Sequence, residues 1–382
     1  MLTLYKFELR KIISRKIVWI TGGVLLVGLV IWGIASAVLP QNREYSDSSL
    51  NGYAANRAEQ EAAEQISGRA IDQKLIDEMR PAYEDFIFNG NYKEALPYLD
   101  VYNFIGRTLG TQAGAEILVC DSEAFYEKLN AQLEANTPAG LTESISFAEP
   151  IVYHGYFDGW RQIADMMKLI TCMEIMFIAI CLSTVFTVEH TRKTDQVILC
   201  TRLGKKKLYA AKTLAGLTVG VGFTLLLSLL MFGIIAFLYG FDGYDTILQF
   251  VLLRPFNLTV GQAALILVGL SFAGAALISI FTMMLSEVTK NSIATIGIIT
   301  GVLLVTMFIM EMPANLKLLS EIWYLLPSNL VSLNGAFRYS MFHVGGSPLA
   351  AYQYAPIVYL VLAVIFALIG KLTYNRYQIN GR

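Results

Sequence analysis

The chain has 382 residues, of which 55% are hydrophobic, with a mean hydropathy of +0.52 and a formal net charge of −1. So apolar a composition excludes an ordinary water-soluble domain, and the near-zero charge gives no basic excess for nucleic acid to read. Four cysteines and three histidines show no spacing for a disulfide framework or a metal site.

Residues 1–16 read as a separate amphipathic helix. Leu2, Tyr5, Leu9, Ile12 and Ile13 recur at helical spacing, while Lys6, Arg10, Lys11 and Arg15 occupy another face, as expected of a helix lying in a membrane interface. The first long apolar stretch follows at 17–39. Thirteen of its 23 residues are Leu, Ile or Val, worth roughly −4 to −8 kcal/mol of insertion free energy at the bilayer centre. Its uninterrupted apolar run exceeds the ~7–15 residues of a cleaved signal, so it reads as an uncleaved anchor despite the small-residue triplet Ala35-Ser36-Ala37.

Five further stretches follow at 166–188, 213–239, 259–285, 293–310 and 355–370. Each approaches the ~20 residues that a helix needs to cross ~30 Å of hydrocarbon. The expected fold is therefore an all-α polytopic membrane protein with six transmembrane helices. Its parts are 1–39 (interfacial helix and first span), 40–165 (an extracellular, mainly helical insertion) and 166–382 (spans two to six). Lysine and arginine set the orientation. With the N-terminus cytoplasmic, the inner side collects sixteen, from Lys6 through the 189–212 connection to Arg382, and the short outer loops only Arg254, Lys317 and Arg338. Both termini are expected inside.

The insertion carries nine Lys/Arg against 21 Asp/Glu, a balance of −12. Ile71, Leu75 and Met79 step by four, as do Phe125, Leu129 and Leu133, marking apolar helix faces. Glu59, Glu61 and Glu64 read as a solvated helical arm, and residues 117–120 and 145–147 as possible short strands. Asp158-Gly159 is expected to start a helix that runs through Trp160 into the second span. Residues 311–354 read as short interfacial or re-entrant helices at the outer face, because backbone at membrane depth must satisfy its own hydrogen bonds. The Gly216/Gly220 and Gly297/Gly301 pairs have the spacing that lets helices approach closely, within the bundle or in a dimer.

Catalytic signatures are missing. The sequence has no phosphate-binding Gly-x-x-x-x-Gly-Lys-Ser/Thr, and His154, His190 and His343 form no metal-binding pair. Glu174 stands alone inside the second span, where a charge costs ~2.5–3.5 kcal/mol. It lines a substrate path or is a hydrogen-bonded packing residue. The 189–212 connection brackets apolar Val197, Ile198, Leu199 and Leu203 between Glu189, Arg192, Lys193, Thr194 and Asp195 on one side and Arg202, Gly204 and Lys205-Lys206-Lys207 on the other. Topology explains the lysines. The acidic residues and the apolar stripe suit docking onto another protein.

Phe7-Glu8-Leu9-Arg10-Lys11, Tyr156-Phe157-Asp158-Gly159-Trp160 and the run from Phe186-Thr187-Val188-Glu189 to Lys212 resemble the type-2 permease subunits of ABC exporters, above all bacterial members with a large insertion after the first span. Lys193-Thr194 stands where similar proteins have Gly-Thr. The resemblance implies a permease in a bacterial cell membrane that moves a substrate out of the cytoplasm. ATP and Mg would be bound by a separate ABC ATPase subunit, with no cofactor on this chain. Glu189, Arg192, Lys193, Thr194, Asp195, Val197, Ile198, Arg202 and Gly204 would form the coupling element, residues 2–15 an elbow helix, and residues 322–342 the helices closing the exit. A second permease subunit, identical or different, would complete the pathway, and membrane lipid would surround it. The alternative from another class is a signal-transducing or mechanotransmitting membrane protein whose outer domain senses a peptide or wall ligand. An ion-coupled transporter built on Glu174 lacks a second buried carboxylate in the sequence.

Overall fold

The computed structural model describes residues 2–39, 50–110, 117–137, 145–191, 207–309, 312, 316–338, 342–344 and 347–376. Its helices, in chain order, are α1 (Leu2–Ile13), α2 (Lys16–Val38), α3 (Gly52–Glu64), α4 (Gln73–Asn89), α5 (Tyr92–Ala95), α6 (Leu99–Leu109), α7 (Ser122–Ala135), α8 (Asp158–Leu182), α9 (Thr184–Thr191), α10 (Lys207–Leu238), α11 (Val260–Thr289), α12 (Ser292–Phe308), α13 (Lys317–Tyr324), α14 (Pro327–Leu330), α15 (Leu333–Ala336) and α16 (Ala351–Arg376). One short hairpin pairs β1 (Phe342–Val344) with β2 (Ser347–Leu349).

Five segments among the described residues are long and apolar enough to cross a membrane: α2, α8 with α9 as far as Glu189, α10, α11 and α16. The fifth expected span, α12, has 17 residues, or roughly 25 Å at ~1.5 Å per residue, so it is the short member of the set. The bundle is built around α8 and α11. The apolar window of α8 is 72% buried against 22% for α2 and α16, which puts α8 at the centre and those two at the rim. Helix α11 packs on α8, α10, α12 and α16.

Local chemistry sets the ends. Thr259 and Gln262 form a reciprocal capping box at the start of α11. Lys290 closes that helix in the left-handed region at φ 51°, and Asn291 at once caps α12 by accepting from Ile293 and Ala294 backbone N–H groups. A side chain added at Gly216 would collide with Met283, and one at Gly220 with Ser279, so this pair seats α10 on α11. A side chain begun at Gly297 or Gly301 would meet nothing within 4 Å among the described residues.

The insertion is helical, and the two faces stepped by four are its buried faces: Ile71, Leu75, Met79, Phe125, Leu129 and Leu133 are all 0% exposed. Residues 117–120 and 145–147 form no strand; Ile117 and Leu118 start a helical turn, and the nearest pairing is an isolated bridge between Ala70 and Val152. In the arm at 59–64, Glu61 and Glu64 are exposed as expected, and Glu59 departs from that character. Glu59 is buried, because α3 lies across the end of the bundle with Asn56 Nδ2 donating to the Leu238 carbonyl at 3.3 Å and Tyr53 stacked 5.2 Å from Phe237.

This docking is extensive. Phe250, on the loop between α10 and α11, enters the aromatic cluster of the insertion with ring centroids 4.3 Å from Phe104, 5.6 Å from Phe157 and 5.8 Å from Tyr153. Arg107 of α6 donates to the Phe250 carbonyl and, at 3.0 Å, to that of Val251. Helix α8 then runs without a break from the insertion into the bundle.

Candidate functional site

Opposite the insertion, the end of α9 carries the only described part of the expected coupling element, Glu189. The carboxylate is 5% exposed and accepts from Lys11 Nζ at 2.8 Å while pairing with Lys212 of α10. Lys11 also lies 3.8 Å from Glu8, one turn back on α1. The Lys212 side chain is completely buried, with its ammonium 4.9 Å from the centre of the Phe186 ring. Arg15 donates to Thr184 at 2.5 Å, and the Tyr5 and Thr218 hydroxyls meet at 2.9 Å. Three elements distant in sequence are thus joined where the 189–212 connection leaves and re-enters the bundle. Two cations balance two carboxylates, which is the condition for burying them.

The four interfacial cations, expected on one face of α1, divide. Lys11 and Arg15 face this cluster, whereas Lys6 and Arg10 lie exposed on another side of α1. Arg192, Lys193, Thr194, Asp195, Val197, Ile198, Arg202 and Gly204 lie outside the described residues. Lys212, Glu8 and Thr184 are the partners that the sequence reading did not single out as a site. Lys212 had a signal, a lone lysine following Ala210-Ala211 at the head of a long apolar run.

Glu174 is 0% exposed at the meeting of α8, α10 and α11. Its Oε2 accepts from Thr224 and Ser271 at 2.9 Å each, and Thr171 reaches Ser271 at 3.4 Å. Its Oε1 has no hydrogen-bond partner among the described residues. Beside it, an apolar cavity of about 520 Å³ lies between α8, α11, α12, α14 and α16, with Ile175, Phe281, Leu303, Pro327, Tyr359 and Phe366 in its wall. Glu174 is not part of that wall. Glu174→Gln keeps an acceptor for both hydroxyls and is expected to shift stability by less than about 1 kcal/mol, whereas Glu174→Leu removes that acceptor and is expected to cost about 1–3 kcal/mol. Thermal unfolding in detergent reads both.

At the insertion end, Asp100 of α6 accepts from the Tyr153 hydroxyl at 2.5 Å in a small polar cavity shared with Glu59, Asp158 and Arg161. Loss of water, and then the Asp158 carboxylate, push the Asp100 carboxyl up from 3.8 to about 7, against the opposing pull of the Tyr153 hydrogen bond and Arg161. A carboxyl whose folded value is raised takes up protons on folding. The docked insertion should therefore lose stability as pH rises from about 4 to about 7 and level off above that. In Asp100→Asn that slope should disappear, with a higher melting temperature than wild type at pH ~8 and a similar one at pH ~4. An unchanged slope would remove Asp100 as its source.

The decisive comparison is with protein families. The sequence matches the ABC-2 family transporter protein model over residues 2–368, nearly its whole length. The chain belongs to the ABC-2 transporter family. No curated protein and no solved structure matches it. As an ABC-2 permease it is a multi-pass membrane component of a transporter and not itself the catalytic subunit, and its family works with an ABC ATPase. Within the ABC-2 permease, the Glu189 cluster stands at the root of the 189–212 connection.

Proposed function

We propose that the chain is the membrane-spanning permease subunit of an ABC exporter in a bacterial cell membrane, driven by ATP that a separate subunit binds with Mg and hydrolyses. Both termini and the 189–212 connection lie on the cytoplasmic side, the insertion lies outside, and α12 makes the sixth crossing. A second permease copy or homologue completes the pathway. One observation carries the coupling assignment: the buried contact of Glu189 with Lys11 and Lys212 ties the root of the connection to the elbow helix and to the next span. Force applied to the connection reaches all three elements together. ATP supplies bias between states because the partner binds it differently in each.

Charge reversal at Arg192 and Lys193, or deletion of residues 197–203, is expected to abolish co-purification of an ATPase while membrane insertion stays normal. Unchanged co-purification would remove the coupling assignment. Glu174 is assigned to holding α8, α10 and α11 together, since its hydrogen bonds go to its own bundle. A path-lining role would instead make Glu174→Gln lose transport at unchanged stability.

A second reading, a signal-transducing or mechanotransmitting protein that senses a ligand outside and moves no substrate, draws on the unbroken α8 and the firmly seated insertion. ATP-dependent efflux from vesicles holding the permease and its ATPase separates the two.

A further inference from the structure

We propose that the notch between α1 and the first turn of α2 is a binding site for the phosphate headgroup of an anionic membrane lipid. The proposal rests on the reading of α1 as a helix at the cytoplasmic surface, and deepens it by assigning the residues that hold the lipid.

The notch is about 370 Å³ in volume and is walled by Lys6, Leu9, Arg10, Ile13, Ser14 and Trp19. Helix α1 and the turn after it carry cations of two kinds. Lys11 is spent on Glu189 and Glu8, and Arg15 on Thr184. Lys6 and Arg10 have no carboxylate and no hydrogen-bond acceptor for their side chains among the described residues. They are four positions apart, so both heads stand over one turn of the same face. Two like charges so placed repel, and an anion between them removes the repulsion. Arginine offers a planar fork that matches two phosphate oxygens, and lysine adds a mobile point charge.

The remaining walls select the source of that phosphate. Leu9 and Ile13 make an apolar floor beneath the two cations. Trp19 is 68% exposed, and its indole N–H is already used on the Ile13 carbonyl at 2.8 Å. That bond holds the exposed ring in the wall of the notch, and tryptophan favours a headgroup region. Ile13 is itself 39% exposed, so the notch presents apolar surface beside the indole. Free phosphate would leave all of it in water. A glycerophospholipid covers it with ester carbons and acyl chain while its phosphate meets Lys6 and Arg10.

The test uses the full-length chain, titrated with phosphatidylglycerol or phosphatidylcholine of the same acyl chains and read by native mass spectrometry. Two cations at an anionic surface are together worth about 30-fold in affinity. Lys6→Gln with Arg10→Gln should therefore weaken phosphatidylglycerol binding about 30-fold and leave phosphatidylcholine unchanged, while Lys6→Arg with Arg10→Lys should retain it. Independently of any basic-residue variant, brominated phosphatidylglycerol should quench wild-type fluorescence more than brominated phosphatidylcholine, and Trp19→Phe should remove the excess. Equal retention of phosphatidylglycerol by the glutamine variant, or equal quenching by both lipids, overturns the proposal. So does displacement of the lipid by millimolar inorganic phosphate, which would mark a free-anion site. Loss of ATPase co-purification with lipid binding intact would mark a protein-docking face instead. Absence of an ATPase from the wild-type preparation counts against the permease reading alone and leaves the lipid result standing.

Discussion

Glu189→Ala is expected to cost about 3–5 kcal/mol of stability and to release α1 from the bundle, because it strands an ammonium that no water reaches. The Lys212 side chain has 0% exposure and its ion pair is with Glu189. The Phe186 ring offers a cation–π contact at 4.9 Å, worth about 2 kcal/mol when desolvated, too little to replace a carboxylate. Glu8 remains nearby but is engaged at 3.8 Å with Lys11. Removing both charges is a different experiment. Glu189→Ala with Lys212→Met leaves no uncompensated charge at the site and should recover most of the loss, since apolar replacement of a buried pair is often neutral. Denaturation in mixed micelles with the four members of this cycle measures the coupling, and equal losses in the single and double variants would contradict it. The same cycle separates two roles of Glu189. If the carboxylate only holds the fold, the double variant regains ATP-driven transport with its stability; if it transmits force, stability returns and transport does not.

Phe250→Ala should be the costliest change at the other end, at about 3–5 kcal/mol for truncating a fully buried ring. The ring belongs to the bundle by sequence and to the insertion by packing. It lies 4.3 Å from Phe104 in a stacked pair, and its carbonyl is held by Arg107. Burial pulls the Arg107 guanidinium down to about 10, so it still holds its proton at neutral pH. Truncation removes the stacking partner and leaves a cavity among Phe104, Tyr153 and Phe157. Hydrogen exchange in α3 and α6 should then rise while the spans stay protected, and Phe250→Leu should fall between the two. Uniform exchange over the whole chain would mean that the insertion and the bundle unfold as one unit.

The period of the apolar residues made the helices of the insertion legible, and composition made the spans so. Ile71, Leu75 and Met79 face inward because they share a face, and a face is a local property. The site was less legible because its partners are distant in sequence. Reading Lys6, Arg10, Lys11 and Arg15 as one face overlooked that each pair is four apart and that the two pairs are offset by roughly 140° around α1. Which pair meets a carboxylate depends on Glu189, 178 positions away from Lys11. Glu174 likewise declares a need for partners, and only the fold names Thr224 and Ser271. Glu59 misled for the opposite reason: neighbouring glutamates on a polar helix look solvated until another element covers one of them.

The insertion meets the rest of the molecule through Asn56 on Leu238, Gln60 on Asp242, Arg107 on Phe250 and Val251, and the Trp160 indole on the Phe241 carbonyl. Every acceptor in that set comes from the 238–251 stretch, so these contacts form a single seam beside the covalent links to α2 and α8. A chain nicked between residues 39 and 50 would leave the insertion joined to α8 and seated on that stretch, while α1 and α2 stay on the bundle through their packing on α10 and α8. In evolutionary terms such an insert behaves as a lodger subunit, free to change its exposed surface as long as that seam is kept.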